Sequence, residues 1–140
     1  MDWKECCGKR IIKQVNTDKM LELSLIKSSK NKLLSSETLV LNEITAASKL
    51  SLSYDSLREL LEAIAIQKRY KIYNHECYTA FLKEIVSESE LGDQFDIVRK
   101  ARNTVNYYGK DISIEECTQI INAIKQLRTS LENKFIENFE

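Results

Sequence analysis

The chain of 140 residues has the length of one domain and can bury a hydrophobic core, so we expect a single domain over residues 1–140. It contains no proline and three glycines, too few for the turns of a β-rich domain, which predicts an all-α fold. Its 21 basic and 21 acidic residues balance to zero, which excludes a whole-molecule field that would draw it to nucleic acid or to an anionic membrane.

Three helices are predicted in the first half of the chain. The first covers residues 2–15 and presents one face made of Trp3, Cys7, Ile11 and Ile12. Thr17 is the expected N-cap of the second, which covers residues 18–46 with a stripe, thinned by serines, of Leu21, Leu25, Leu33, Val40 and Ile44. After a break at residues 47–50, the third covers residues 53–70, with helical spacing of Tyr54, Leu57, Leu61, Ile64 and Ala65.

Three further helices are predicted in the second half. Asn74 is expected to cap a short helix that ends near residue 86, before an acidic loop at residues 87–90. The fifth helix covers residues 91–108, with Gly109 as its C′ residue and a stripe of Leu91, Phe95, Val98 and Val105. Ser113 and Glu116 form a capping box that begins the sixth, whose stripe is Ile114, Cys117, Ile121, Ile124, Leu127, Leu131 and Phe135. Amphipathic helices with short connections predict a helical bundle.

The four cysteines are Cys6, Cys7, Cys77 and Cys117, and none forms a CxxC pair. The adjacent Cys6 and Cys7 make a poor disulfide, and the sequence contains neither an apolar signal segment at its start nor a run long enough to span a membrane. We expect a cytoplasmic protein with reduced thiols that fill the core, no membrane contact and no metal site. A metal site made of Cys6, Cys7, His75 and Cys77 is the weaker alternative.

Arg102 stands in the fifth predicted helix at a position where the pattern asks for an apolar residue. A helical wheel places Arg102 inside the apolar arc, with Arg99 and Asn106 at its edge, and Asn103 and Tyr107 further round. The surrounding residues 97–110 contain four basic residues and no acidic one.

Two explanations for Arg102 compete, because a buried guanidinium without partners is costly. In the structural explanation, it pairs with a carboxylate from a neighbouring helix, such as Asp55, Glu59 or Glu62. In the functional explanation, it lines a cleft between helices or subunits and binds an anion such as phosphate, which its fork of donors suits.

Two segments together resemble the HEPN superfamily, the higher eukaryote and prokaryote nucleotide-binding domains. They are SYDSLRELLEAIAIQKRYKIYNHECYTAFLKE at residues 53–84 and FDIVRKARNTVNYYGKD at residues 95–111. The resemblance covers residues 17–124 and is closest to small single-domain prokaryotic members. It implies an up-down four-helix bundle with additional terminal helices, assembled as a homodimer. Active members are metal-independent endoribonucleases whose motif joins an arginine, a polar residue and a histidine.

The motif transfers to this sequence only in part. Arg102 matches the arginine that holds the phosphate and Asn103 matches the polar residue, but Tyr107, Tyr108 or Gly109 stands where the histidine belongs. A tyrosine titrates near pH ~10 and is a weak general base at neutral pH, although it can donate to a phosphate or stack on a base. His75 is expected to be a surface or capping residue, kept neutral by a helix N-terminus.

Three functions are consistent with these residues. The first is a binding module for RNA, a nucleotide or another phosphate, needing no cofactor, with site residues Arg99, Arg102, Asn103, Asn106, Tyr107, Tyr108 and Lys110. The second is a metal-independent ribonuclease with Arg102 and either Tyr107 or Tyr108 as its catalytic residues. The third is a partner subunit of a nucleotidyltransferase or an antitoxin, in a toxin–antitoxin or defence system. We expect binding or partner function rather than catalysis.

Overall fold

The computed structural model describes residues 1–108 and 112–136, and of residues 106–108 it describes the backbone alone. In chain order the described elements are α1 (Trp3–Gly8), β1 (Ile12–Gln14), α2 (Lys19–Thr38), α3 (Ala46–Gln67), β2 (Tyr70–Ile72), α4 (Glu76–Ala80), a π-helical turn (Phe81–Ile85), α5 (Ser89–Tyr108) and α6 (Ile114–Phe135). The protein is mostly helical, as its composition predicts, but it also contains a small sheet. No helix in the described ranges is long and apolar enough to span a membrane.

The long helix α3 lies at the centre of the hydrophobic core. Its fully buried residues include Leu57, Leu60, Leu61 and Ile64. The helix α2 runs antiparallel to it, because Ser36 near the end of α2 meets Ser53 near the start of α3, with 2.7 Å between the hydroxyl oxygens. At the opposite ends of the two helices, the amide of Gln67 donates to Glu22 at 2.7 Å.

The helices α5 and α6 complete the core. The helix α6 runs parallel to α3, because Cys117 contacts Ala46 at one end of the pair and Phe135 contacts Gln67 at the other. The α5 stripe predicted from the sequence is confirmed, because Leu91, Phe95 and Val98 are buried. The predicted cap of α6 is also confirmed: the backbone N–H of Glu116 donates to the Ser113 hydroxyl at 3.0 Å.

The face that α2 turns to the core differs from the predicted leucine stripe. Its buried residues are Glu22, Ile26, Ser29 and Ser36. Of the predicted stripe, Leu25 and Leu33 are half-buried and Leu21 is 42% exposed. The other two members, Val40 and Ile44, are 78% and 89% exposed and lie beyond the end of α2. Small serines allow two helix backbones to approach closely, and the Ser29 and Ser56 hydroxyls each donate to the carbonyl of the other residue, at 2.6 and 2.7 Å. Two of the serines that interrupt the predicted stripe, Ser29 and Ser36, therefore belong to the face of α2 that packs against α3.

Arg128 of α6 is only 4% exposed and connects three helices. Its Nε donates to the hydroxyls of Ser56 and Ser29 at 3.0 and 3.2 Å, and its Nη1 pairs with Glu132 one turn further along α6. Burial lowers the Arg128 pKa, while the Glu132 carboxylate opposes that effect. This buried cluster satisfies the polar groups where α2, α3 and α6 meet.

The break between the second and third predicted helices lies earlier than expected. The helix α2 ends at Thr38 and α3 begins at Ala46, so residues 47–50, predicted as the break, are helical. In the connection, the Asn42 carboxamide oxygen accepts the backbone N–H groups of Ile44 and Thr45 at 2.9 and 3.0 Å. This local turn reverses the chain without the glycine or proline that usually marks such a site.

A two-stranded sheet replaces the second half of the first predicted helix. The strands β1 and β2 pair antiparallel, with Ile12 opposite Ile72, Lys13 opposite Lys71 and Gln14 opposite Tyr70. Arg10 and Arg69, which precede the two strands, have φ angles of 57° and 71° and so turn the backbone out of its helical path. The prediction of a helix over residues 2–15 is wrong in its second half, because pairing with a distant segment overrides local helical spacing. With one two-stranded sheet beside its helices, the protein still agrees with the predicted all-α class.

The fourth predicted helix is divided in two. The helix α4 passes into the π turn, where the Val86 N–H donates to the Phe81 carbonyl at 3.2 Å. His75 occupies the N-cap position instead of Asn74, whose side chain accepts the Glu76 N–H at 2.9 Å. Asn74 therefore stabilises the start of this helix from the position before the N-cap, one residue earlier than predicted.

Cys6 of α1 and Cys77 of α4 form a buried disulfide between positions 71 residues apart, with 6.1 Å between their Cα atoms. The prediction of reduced thiols is wrong for this pair, and neither sulfur is available to the alternative metal site with Cys7 and His75. The error arose because spacing along the chain says nothing of a distant partner. Cys117 is a buried free thiol, as predicted for a core filler, whereas Cys7 is exposed.

Candidate functional site

The helix α5 carries the predicted site residues at the margin of its buried stripe. Glu90 in its first turn favours the helix start, since an acidic side chain there offsets the helix dipole. Phe95 and Val98 are buried, and Arg99, Arg102 and Asn103 are half-buried at the end of the same face. The amphipathic pattern thus places three polar side chains beside the core instead of in open solvent.

Arg102 lies over the aromatic ring of Tyr54, with 5.0 Å between the guanidinium carbon and the ring centroid. Tyr54 comes from α3, is fully buried and stacks on Phe95 with 6.2 Å between the ring centroids. A guanidinium over an aromatic face is attracted by the ring quadrupole while remaining near apolar groups. Neither explanation offered for Arg102 from the sequence included this contact.

Two of the three carboxylates expected as partners of Arg102 are bound by other cations. Glu59 forms ion pairs with Lys32 and Arg58, the second at 4.0 Å. Glu62 pairs with Arg58 at 3.3 Å, one helical turn away on α3. The acidic face of α3 therefore holds Arg58 and Lys32.

Tyr54 also contacts His75, the one histidine of the sequence. Its hydroxyl oxygen lies 3.1 Å from Nδ1 of the imidazole. Burial raises the pKa of Tyr54 to about 12, and Arg102 only partly offsets that effect, so the hydroxyl keeps its proton at neutral pH. Burial lowers the pKa of His75, and the positive charges of Arg58 and Arg102 lower it further.

We infer the tautomer of His75 from the burial of its partner, because the distance alone allows either atom to donate. The hydroxyl of Tyr54 is buried, and the hydrogen-bond partner described for it is Nδ1, so donation to Nδ1 satisfies the hydroxyl proton. A neutral imidazole that accepts at Nδ1 carries its own proton at Nε2. In this tautomer His75 is a hydrogen-bond donor at Nε2. As predicted, it lies at the capping position of α4, but it is half-buried and its side chain makes no capping hydrogen bond.

A surface cleft of about 290 Å³ brings residues of two distant segments together. It is lined by Tyr73, Asn74, His75, Glu76, Arg99 and Asn103. The segment before α4 is held in place because the Tyr73 N–H donates to the Ile11 carbonyl at 2.9 Å. Nε of Arg99 is buried and makes no hydrogen bond within the described part of the chain. We refer to this feature as the α5 cleft.

The carboxylates near the α5 cleft are engaged by cations. Arg99 donates to Asp96 at 2.7 Å and Lys100 lies 2.9 Å from the same carboxylate. Burial raises the pKa of Asp96, but the hydrogen bonds from Arg99 and Lys100 outweigh it and lower the pKa to about 2. Glu76 accepts the α-amino group of Met1 at 3.0 Å. Both acids are thus charged at neutral pH and are compensated locally.

No protein-family model, curated protein or solved structure matches this chain.

The structure brings together part of the predicted site. Arg99 and Asn103 line the α5 cleft, and Arg102 lies one turn away against Tyr54. Asn106, Tyr107 and Tyr108 belong to α5, but their side chains lie outside the described part, as does the whole of Lys110. The functional roles of all these residues stay predictions.

Sequence reasoning missed Tyr54, His75 and Arg58 as neighbours of the site. The predicted place of Tyr54 in the core stripe of its helix is correct, but the stripe does not show that its hydroxyl reaches His75. The sequence did contain one signal for His75: it is the single histidine of a chain whose α5 motif lacks the histidine of the HEPN pattern. Within the described residues no group of three or more His, Cys, Asp or Glu side chains is placed to hold a metal ion.

We expect the stability of the protein to decrease as the pH is lowered through about 6.5, the value of an unperturbed histidine. Because the pKa of His75 is lowered on folding, the unfolded chain binds more protons between the folded pKa and that value. The stabilisation is therefore complete above the unfolded pKa and is lost as the pH falls. Titration of the single imidazole by NMR gives the folded pKa directly, and urea denaturation between pH ~7 and ~5 gives the stability.

The control for this prediction is His75→Gln, which removes the titrating group but keeps a side chain of similar polarity. The difference in unfolding free energy between the two proteins should change with pH across this interval. An imidazole that titrates at or above pH ~6.5 would contradict the burial of His75.

Proposed function

We propose that the α5 cleft binds a phosphate group of RNA or of a nucleotide. The observation that carries this proposal is the convergence of Arg99, Asn103 and His75, from two segments remote in sequence, on one cleft. Each of these three side chains can donate hydrogen bonds: Arg99 through its guanidinium, Asn103 through its carboxamide and His75 through Nε2–H. Phosphate oxygens are acceptors, and a charge-assisted bond from a guanidinium is the strongest of these interactions.

The local charge supports an anionic ligand although the net charge of the chain is zero. Three guanidiniums, those of Arg58, Arg99 and Arg102, lie close enough to lower the pKa of His75. The nearby Asp96 is shared by Arg99 and Lys100, and Glu76 is paired with the α-amino group of Met1. Since the cleft is open to solvent, we expect moderate affinity that falls as the salt concentration rises.

The resemblance to the HEPN superfamily supports the choice of nucleic acid or nucleotide as the ligand class. We propose that the fold is a HEPN-like up-down four-helix bundle of α2, α3, α5 and α6, to which α1, the sheet and α4 are additions. The antiparallel course of α2 and α3, and the contact of Lys134 near the end of α6 with Glu88 before α5, agree with it. A homodimer, a nucleotidyltransferase or antitoxin partner, and a role in a toxin–antitoxin or defence system remain predictions.

A metal-independent endoribonuclease is the second candidate, because His75 supplies the imidazole that the α5 motif lacks. In such a reaction a base removes the proton of the ribose 2′-hydroxyl, the resulting oxygen attacks the adjacent phosphorus, and the 5′-oxygen leaves with a proton. His75 already carries a proton at Nε2 in the assigned tautomer, so it cannot accept another there while neutral. Catalysis would require the bond to Tyr54 to reverse, which favours binding over cleavage.

Replacing Arg99 by Gln should weaken the binding of a fluorescein-labelled hexauridylate by about tenfold or more, because hydrogen bonds to charged groups are among the strongest in proteins. Fluorescence anisotropy at low salt measures the change. Arg99 also covers Asp96, so the double variant R99Q/D96N separates loss of the donor from exposure of the carboxylate. Lys30→Gln on the exposed side of α2 is the control for a simple change of charge. Equal affinity of wild type and R99Q would refute the proposed site.

The same oligonucleotide distinguishes the ribonuclease from the binding module. We expect the wild-type protein to bind hexauridylate without shortening it. Products that end in a 2′,3′-cyclic phosphate, present with the wild type and absent with both Arg102→Ala and His75→Gln, would establish the ribonuclease instead.

A further inference from the structure

The small sheet carries a second basic cleft, larger than the α5 cleft. This sheet cleft has a volume of about 630 Å³ and is lined by Lys13, Gln14, Val15, Asn16, Lys68, Arg69 and Tyr70. Three of these residues are basic, two are neutral and polar, and none is acidic. Arg69 is turned at the start of β2 by its left-handed backbone, and its guanidinium donates to the Asn16 side chain at 3.4 Å. The lining therefore offers several donors and no competing carboxylate.

The sheet register adds a fourth cation beside this cleft. Lys13 and Lys71 lie directly opposite each other on β1 and β2, and both are exposed. Like charges at directly opposed positions of an antiparallel pair are destabilising. A bound anion between the two ammonium groups would remove that repulsion, which is a physical reason to expect a ligand on the exposed face of the sheet.

Tyr73 follows β2 directly and lines the α5 cleft. It is 59% exposed, and the ammonium nitrogen of Lys71 lies 5.6 Å from the centroid of its ring. Lys71 and Tyr73 are two positions apart along β2 and its continuation, where side chains point to the same face. One exposed aromatic ring therefore adjoins both the α5 cleft and Lys71, the residue opposite Lys13 of the sheet cleft.

We propose that the sheet cleft is a second phosphate subsite and that Tyr73 is a base-stacking platform, so that the protein binds an extended single strand of RNA across both clefts. This inference rests on the phosphate-binding function proposed for the α5 cleft. The distance from Arg69 to Tyr73 along the extended chain is about 13 Å. With a cleft at each end, the surface suits a segment of about four nucleotides.

A single strand fits this surface better than a mononucleotide or a duplex. A mononucleotide reaches one cleft only, and a duplex hides the faces of its bases, which an exposed tyrosine ring can stack on only in a single strand. An anionic lipid surface would use the lysines but would have no use for the ring as a stacking platform.

The experiment measures the affinities of uridine 5′-monophosphate and of labelled oligouridylates of increasing length. Affinity should rise up to a length of about four nucleotides and then level off. Tyr73→Ala should weaken hexauridylate binding about tenfold, whereas Tyr73→Phe, which keeps the ring, should bind like wild type. The double variant K13Q/K71Q should weaken hexauridylate binding and reduce the slope of log affinity against log salt by about 1.4, or about 0.7 for each contact. K13Q/K71Q should weaken the binding of hexauridylate by a larger factor than that of the monophosphate, which reaches one cleft only.

The outcomes separate the two proposals. If R99Q weakens hexauridylate binding but the Tyr73 and Lys13/Lys71 variants do not, the second subsite is wrong and the α5 cleft stands alone. If no oligouridylate or monophosphate binds, the proposed function itself fails. If the lysine variants lose binding to phosphatidylglycerol vesicles while Tyr73→Ala leaves hexauridylate binding unchanged, the sheet is a membrane-binding surface and the inference is overturned.

Discussion

Removal of the disulfide between Cys6 and Cys77 should lower the free energy of unfolding by about 4 kcal/mol, because the bond closes a long loop in the unfolded chain. The two positions are 71 residues apart, and the entropy that such a link removes from the unfolded state grows with loop length. Urea denaturation of the wild type and of the double variant C6S/C77S measures the difference.

The exposed Cys7 supplies the control for this prediction. Cys7→Ser removes a free thiol next to the disulfide and should leave stability unchanged. A reducing agent should destabilise the wild type and the Cys7→Ser protein, but not C6S/C77S. If the wild type and the double variant unfold at the same urea concentration, the disulfide does not form in solution, and the expectation of reduced thiols would be restored.

The disulfide also bears on the candidate site, because Cys77 follows His75 by two residues. It holds α1 against α4, and the Trp3 N–H donates to Glu84 of the following π-helical turn at 2.7 Å. We expect C6S/C77S to bind hexauridylate more weakly than the wild type, since the position of His75 would be less constrained. Comparing the affinities of the reduced and the oxidised wild-type protein in the anisotropy assay shows whether the disulfide contributes to binding.

Replacing Arg128 by Ala should destabilise the fold by about 3 kcal/mol, the sum of a cavity and of hydrogen bonds lost from a charged group. Arg128 is 4% exposed and donates to the hydroxyls of Ser29 and Ser56, so its removal empties the space where three helices meet. Urea denaturation followed by circular dichroism measures the loss.

Arg128→Met separates these contributions. Methionine fills most of the volume without a charge, and replacement of a buried ion by an apolar side chain is often close to neutral. Arg128→Met should therefore be clearly more stable than Arg128→Ala. If both variants lose the same stability, the hydrogen bonds to the serines decide the effect; if neither loses more than about 1 kcal/mol, the cluster contributes little.

The predicted helices succeeded where the signal was local and strong. The stripe of α5 and the Ser113 cap of α6 follow from side chains three or four residues apart, and both are present in the structure. The predicted stripe of α2 is only partly buried, because apolar character alone does not determine which face of a helix packs. In α2, hydrogen-bonded serines pack against α3, whereas four apolar side chains are exposed to solvent: Met20, Leu21, Leu23 and Leu34.

The candidate site likewise combines residues that a local pattern predicts with residues that only tertiary packing brings in. Arg99 and Asn103 could be proposed from a basic helix that matches part of a family motif, and they do line one cleft. Tyr54 and His75 could not, because their hydrogen bond joins α3 to the start of α4 across 21 positions. Only packing of these elements around Phe95 brings an imidazole next to the arginines of α5.

The pattern of residues within single helical turns was sufficient to establish a mostly helical protein, the inward face of α5 and the basic character of its final turns. Contacts between distant positions settled the disulfide, the sheet, the serine face of α2 and the meeting of His75 with Arg99. The physical reason is that periodicity reports which side of one helix avoids water, whereas partners far apart in sequence are chosen by the packing of whole elements.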